Sequence, residues 1–143
     1  MCAVAPLTGQ AGRMAELLRQ LVPILHVRDP DAERAFYEKL GLRTTFEGPE
    51  YPGFLAVGND TVEFGLSARP GAGPDDNGVT WQFQVGDLDA LVEVLEREGI
   101  GFAVAVERPR PGWEFRTLTV RSPNGIVVTF EDGGESRGVS SRT

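Results

Sequence analysis

The sequence predicts an α+β protein built from two tandem βαβββ modules. Three observations lead there. Two helical segments repeat at a fixed offset, each follows a strand-like run, and each is followed by three more strand-like pieces.

The repeat is the primary signal. "VRDPDAERAFYEKLG" (27–41) and "VGDLDALVEVLEREG" (85–99) align so that Val27 matches Val85, Asp29 matches Asp87, Asp31 matches Asp89, Ala32 matches Ala90 and Gly41 matches Gly99. Each pair is 58 residues apart, as 29 is from 87. An offset that holds across both ends of a helix points to duplication. Asp29 and Asp87 suit the N-cap, where a carboxylate accepts from orphan amides of the first turn. Pro30 suits the first helical position, where its missing N–H costs nothing. Ala32, Phe36 and Leu40 form one apolar face; Leu88, Leu91, Val92 and Leu95 form the other helix's stripe. Gly41 and Gly99 can take the left-handed conformation that ends a helix.

The strands follow in order. "LVPILHV" precedes the first helix, and "LRTTF", "GFLAV" and "TVEFGLS" come after it. "VTWQFQV" precedes the second, and "GFAVAVE", "EFRTLTV" and "IVVTFE" come after it. "GND" (58–60) and "SPNG" (122–125) are turn signals before the last strand of each set. "RPGAGPDDNG" (69–78) reads as the linker. The expected organisation is a short helical or flexible lead (1–20), a first module (21–68), the linker (69–78), a second module (79–132) and a disordered Gly/Ser/Arg-rich tail (133–143). Met14 is an alternative start.

Composition bounds the function. The chain has 143 residues, 41% hydrophobic and 24% charged, as ordinary globular domains do. No run approaches the roughly 20 apolar residues of a membrane span, and no secretory signal is evident at the N-terminus. A single cysteine, Cys2, excludes an internal disulfide and fits a reducing cytoplasm. The net charge of −7 argues against nucleic acid, which calls for a basic patch, and is compatible with neutral or cationic small molecules.

"V-R-D-x-x-x-x-x-x-F-Y" after the first strand and "S-P-N-G" before the last, set in two βαβββ units over residues 21–132, resemble the glyoxalase / bleomycin-resistance / extradiol-dioxygenase superfamily, the vicinal oxygen chelate proteins. The resemblance implies curved sheets around a cavity, helices on the outer faces, and commonly a homodimer whose cavities are shared between chains. Metal-dependent members place ligands at four positions that correspond here to Val22, Gly65, Thr80 and Thr129. Those side chains are poor ligands, so no metal or cofactor is expected. His26, the single histidine, lies four residues past Val22, about 13 Å along the strand. A shifted site of His26, Glu63 and Glu131 remains an alternative.

Strand alternation assigns the faces. Val22, Ile24 and His26; Thr61, Glu63, Gly65 and Ser67; Thr80, Gln82 and Gln84; Phe115, Thr117 and Thr119; and Val127, Thr129 and Glu131 share the cavity side. Leu25, Val27, Phe64, Leu66, Trp81, Phe83, Leu118, Val120, Val128 and Phe130 turn toward the helices. Aromatic walls are expected from Phe46, Tyr51, Phe54 and Trp113, the last in the Pro-rich stretch "ERPRPGWEF" read as a loop.

The ligand-binding set is therefore His26, Phe46, Phe54, Glu63, Gln82, Gln84, Trp113, Phe115, Thr117, Thr129 and Glu131. The leading function is a metal-free protein that sequesters an aromatic or cationic small molecule such as an antibiotic. One alternative is an enzyme of the same superfamily with an altered site, in which His26 acts as general base. Another is an interaction module with a vestigial cavity.

Overall fold

The computed structural model describes residues 17–132. Expectations for residues 1–16 and for the tail 133–143 lie outside the described residues. Of the lead helix expected over 14–20, residues 17–20 are described and are not helical.

The first module comprises β1 (Ile24–Val27), α1 (Pro30–Lys39), β2 (Arg43–Glu47), β3 (Phe54–Gly58) and β4 (Glu63–Ala68). The second comprises β5 (Trp81–Gln84), α2 (Leu88–Arg97), β6 (Ala103–Arg110), β7 (Trp113–Arg121) and β8 (Val127–Glu131). Each module folds into a four-stranded sheet with the same topology, β1-β4-β3-β2 and β5-β8-β7-β6. The first strand pairs parallel with the last, and the other neighbours pair antiparallel.

The duplicated helix ends behave alike because the same local chemistry is repeated. Asp29 accepts a hydrogen bond from the Ala32 amide and Asp87 from the Ala90 amide. At the other end Gly41 and Gly99 take φ of 102° and 72°. The Gly41 and Leu42 amides donate to the Glu38 and Tyr37 carbonyls, and the Gly99 and Ile100 amides donate to those of Glu96 and Leu95. Both are the doubly bonded left-handed stop in which glycine escapes a Cβ clash.

One feature of β6 and β7 differs from the expected loop. β6 continues through Pro109 to Arg110, with an irregularity between Glu107 and Arg110, and Trp113 is the first residue of β7, paired with Arg110. Pro109 is tolerated because β6 is an edge strand, which can lose a ladder donor. The turn narrows to Pro111 and Gly112, whose φ is 82°.

Both modules bury their helix-facing side in one core. Leu25, Val27, Leu66, Leu118, Val120 and Val128 are all at most 2% exposed. The junction between modules is aromatic. Phe64 of β4 lies 5.0 Å from Trp81 and 6.1 Å from Phe83 of β5, ring centre to ring centre. Tyr37 of α1 meets Phe64 edge-on at 5.0 Å, and Phe83 stacks on Phe130 at 5.6 Å. Such pairs contribute roughly 0.5–1.5 kcal/mol each beyond their area.

A polar crossing accompanies the aromatic one. Glu33 is fully buried on the core face of α1. One carboxylate oxygen accepts from both the backbone N–H and the side-chain amide of Asn124, in the turn before β8. The Asn124 amide also donates to the Asp29 carbonyl, while its oxygen accepts from the Asp29 N–H. A turn of the second module thus completes the N-terminus of the first module's helix. Tyr37, one turn along α1 from Glu33, is also buried. Burial first, then the Glu33 charge, pushes its hydroxyl well above the ordinary tyrosine value.

Two outcomes are expected. Asn124→Ala leaves the Glu33 carboxylate buried and poorly satisfied, so it should cost about 2–4 kcal/mol in urea denaturation. Tyr37 ionises more readily unfolded than folded, so its contribution is intact below pH ~10 and is lost as pH rises above that, at up to about 1.4 kcal/mol per pH unit. Urea midpoints from pH 8 to 11 should therefore fall less steeply in Tyr37→Phe than in the parent.

Candidate functional site

The residues expected to share one cavity are divided, in the single chain, among three cavities and the face of the second sheet. The most apolar is a cavity of about 460 Å³ on the outward face of the first sheet, lined by Val22, Phe46, Tyr51, Phe54, Ala56 and Glu63. A second, of about 740 Å³, runs along the seam where the start of β4 meets β5. Its lining includes Gln20, Thr61, Glu63, Thr80, Gln82 and Gln84. A third, of about 600 Å³, sits on the β6–β7 hairpin around Arg108, Arg110 and Trp113.

Local sequence explains how the first cavity is built. β2 carries an extra residue, Thr45, between the pairs Thr44↔Val57 and Phe46↔Ala56. Such a bulge re-aims side chains. Here the Thr45 hydroxyl donates to one Glu63 oxygen at 2.7 Å, and the adjoining Phe46 ring still reaches the cavity. Gly65 makes room for Phe54. A Cβ at Gly65 would stand 2.6 Å from the Phe54 ring and 3.1 Å from Ile24. The ring therefore lies on the strand where a longer residue at position 65 would project. Phe46 lies 5.9 Å from Tyr51 and 6.0 Å from Phe54, with ring planes tilted by 56° and 53°.

Glu63 is the one charged group in this cavity. Its other oxygen accepts from the Gln20 side-chain amide at 3.0 Å. Both donors are neutral, and among the described residues no lysine or arginine forms an ion pair with it. The carboxylate charge is held in place without being cancelled.

The remaining expected residues are placed elsewhere. Gln82 and Gln84 are exposed at the seam, where the Gln82 amide donates to Glu131. Thr117 pairs across the strands with Glu131, and Thr119 with Thr129, on the second sheet. Trp113 packs on Phe115 at 5.6 Å, and the Arg110 guanidinium lies 4.9 Å over its indole. His26 lines none of these three cavities. Asn77 of the linker clamps it by the backbone, accepting from its N–H and donating to its C=O. The amide thereby covers the β1 edge, which would otherwise be open to pairing. Among the described residues no three His, Cys, Asp or Glu side chains converge as a metal requires, so His26, Glu63 and Glu131 are not brought together.

Gln20 is a site residue that sequence reasoning missed. It belongs to the lead, where no periodicity assigns it a face. Tyr51 was expected only as an aromatic wall; it stands 61% exposed at the cavity rim.

The model of the Glyoxalase/Bleomycin resistance protein/Dioxygenase superfamily matches residues 18–130, most of the chain and both sheets. The chain belongs to this superfamily. Solved members share its architecture. A bleomycin resistance determinant encoded on the transposon Tn5 superposes with a TM-score of 0.62 at 23% identity, covering 78% of this chain and 95% of that one. A bleomycin-binding protein from bleomycin-producing Streptomyces verticillus, complexed with copper(II)-bleomycin, gives 0.54 at 25% identity, covering 77% and 92%. A lactoylglutathione lyase from Agrobacterium tumefaciens gives 0.60 at 18% identity, covering 84% and 97%. No curated protein sequence matches. Among the described residues no helix is long and apolar enough to cross a membrane.

The glycine under Phe54 makes the cavity wall testable. Gly65→Ala must displace the ring, so it should lower stability by about 1–3 kcal/mol. It should also move the Phe54 ring resonances in NMR spectra while leaving those of Phe130, in the other sheet, in place.

Proposed function

We propose that this superfamily member is a metal-free binding protein that sequesters an aromatic or cationic small molecule. The observation that carries this reading is the apolar cavity of Phe46, Tyr51 and Phe54 closed on one side by the uncancelled charge of Glu63. Apolar walls with few oriented polar groups are what a binding site needs, and no reactive side chain is required. The four positions where metal-dependent members carry ligands hold Val22, Gly65, Thr80 and Thr129, and the Phe54 ring covers Gly65. The bleomycin-binding relatives support a sequestering role of the same class, such as antibiotic binding.

We place the protein in the cytoplasm as a homodimer, with no nucleic-acid or membrane partner. Val104, Val106 and Val127 of the second sheet are 44–49% exposed, and Val22 and Ile24 of the first are 40–47% exposed. These outward apolar residues suit a second copy, and a partner's second sheet would add Trp113, Phe115, Thr117 and Thr129 to the walls.

Isothermal titration with a panel of aromatic compounds matched in size but differing in charge tests the reading. Aromatic cations, including DNA-directed antibiotics, should saturate at one per chain. Their uncharged counterparts should bind several-fold more weakly, and Glu63→Gln should narrow the gap. The absence of saturable binding by every panel member, or a stoichiometric divalent metal in the purified protein, would overturn it.

A further inference from the structure

The arrangement of the rings says which part of a ligand the first cavity is shaped for. A planar aromatic group is held best between parallel faces. Here neither neighbouring pair is parallel: Phe46 is tilted by 56° to Tyr51 and by 53° to Phe54. Rings packed against one another about 6 Å apart and tilted in this way form an angled wall beside the cavity, which suits a compact, rounded group better than a flat one. The faces of such rings carry negative potential, which attracts a cation seated within ~6 Å of their centres.

The polar chemistry narrows the class further. A primary ammonium carries three N–H donors and gives up strong hydration on entering an apolar site. It needs acceptors in return. The lining offers Val22, Phe46, Phe54 and Ala56, the hydroxyl of Tyr51 at the exposed rim, and Glu63 as its one charged acceptor. Each Glu63 oxygen already accepts a hydrogen bond, from Thr45 and from Gln20. Two of the carboxylate's roughly four acceptor sites are thereby filled, and those that remain are fewer than the three donors of a primary ammonium, whereas its charge stays fully available. A fully alkylated ammonium has no N–H to satisfy, is weakly hydrated, and matches both the ring faces and the charge.

Resting on the binding role proposed above, we infer that the Phe46–Tyr51–Phe54 cavity is an aromatic cage for a quaternary or otherwise N-alkylated ammonium group. Glu63 acts as its counter-ion. Tyr51 is the exposed wall of the cage, and Gly65 is the floor that lets Phe54 take its place.

Benzyltrimethylammonium and benzylammonium share a ring and a charge and differ in alkylation, so the pair isolates the inference. Titrated calorimetrically or by NMR into the full chain, the trimethyl compound should bind about tenfold more tightly. Tyr51→Leu removes an exposed side chain, so the fold is retained. It should lower affinity for the trimethyl compound several-fold and for benzylammonium much less. Glu63→Gln should weaken both. Equal affinities, a preference for the primary amine, or a preference unaffected by Tyr51→Leu would each overturn the cage. Should neither benzyl cation bind while larger aromatic cations do, the cage fails and the binding role stands. Should no aromatic cation of any kind bind, both fail.

Discussion

The fold depends on how one carboxylate is accommodated in its interior. Glu33 is fully buried, and the partners that reach it come from the other module, through Asn124. A buried charge without hydrogen bonds costs several kcal/mol. The first helix therefore tolerates Glu33 only when the second module's turn is docked against it. Asn124 also bonds both backbone groups of Asp29 at the same helix start. Packing of Phe64 against Trp81 and Phe83 supplies the area at this junction, and the Glu33–Asn124 contacts supply its register. Two modules that each fold into a four-stranded sheet are thereby joined at one relative position.

That position decides what the outward faces can do. The sheets spend their apolar sides on the shared core. What remains outside mixes threonines with exposed valines on the second sheet and is aromatic on the first. The Thr45 bulge and Gly65 explain why the first sheet bears the most apolar of these cavities. The bulge orders Glu63 through a hydroxyl while keeping Phe46 on the same face. The missing Cβ of Gly65 lets a phenylalanine ring lie flat against the strand. At Gly65, which the family resemblance matches to a metal-ligand position, an aromatic ring uses the space a side chain would take.

Much of the fold was legible because it rests on short-range rules. The caps at Asp29 and Asp87, the stops at Gly41 and Gly99, and the alternation of β1, β4, β7 and β8 depend on neighbours in the chain. Expectations weakened where a contact came from far away. Glu33 and Tyr37 are not part of the apolar face read from Ala32, Phe36 and Leu40, yet both are buried, because the other module covers that side. Trp113 sits among prolines that read as a loop, yet pairing with Arg110 across an edge strand, where a lost N–H is cheap, makes it a strand residue. Gln20 carries no local signal at all; its partner, Glu63, is 43 residues away.

The sequence by itself determined the two βαβββ units, the faces of their strands and the family to which they belong. It did so because periodicity, capping and duplication are written locally. The tertiary structure alone decided which of the face-sharing residues actually meet. Within one chain it distributes the expected lining over a cavity around Glu63, a seam along Gln82 and Gln84, a hairpin around Trp113 and the face of the second sheet that carries Thr117, Thr129 and Glu131. It also showed that His26 is a β1 residue whose backbone is held by Asn77 of the linker. Strand alternation says which way a side chain points. Only the docking of one sheet on another says what it points at.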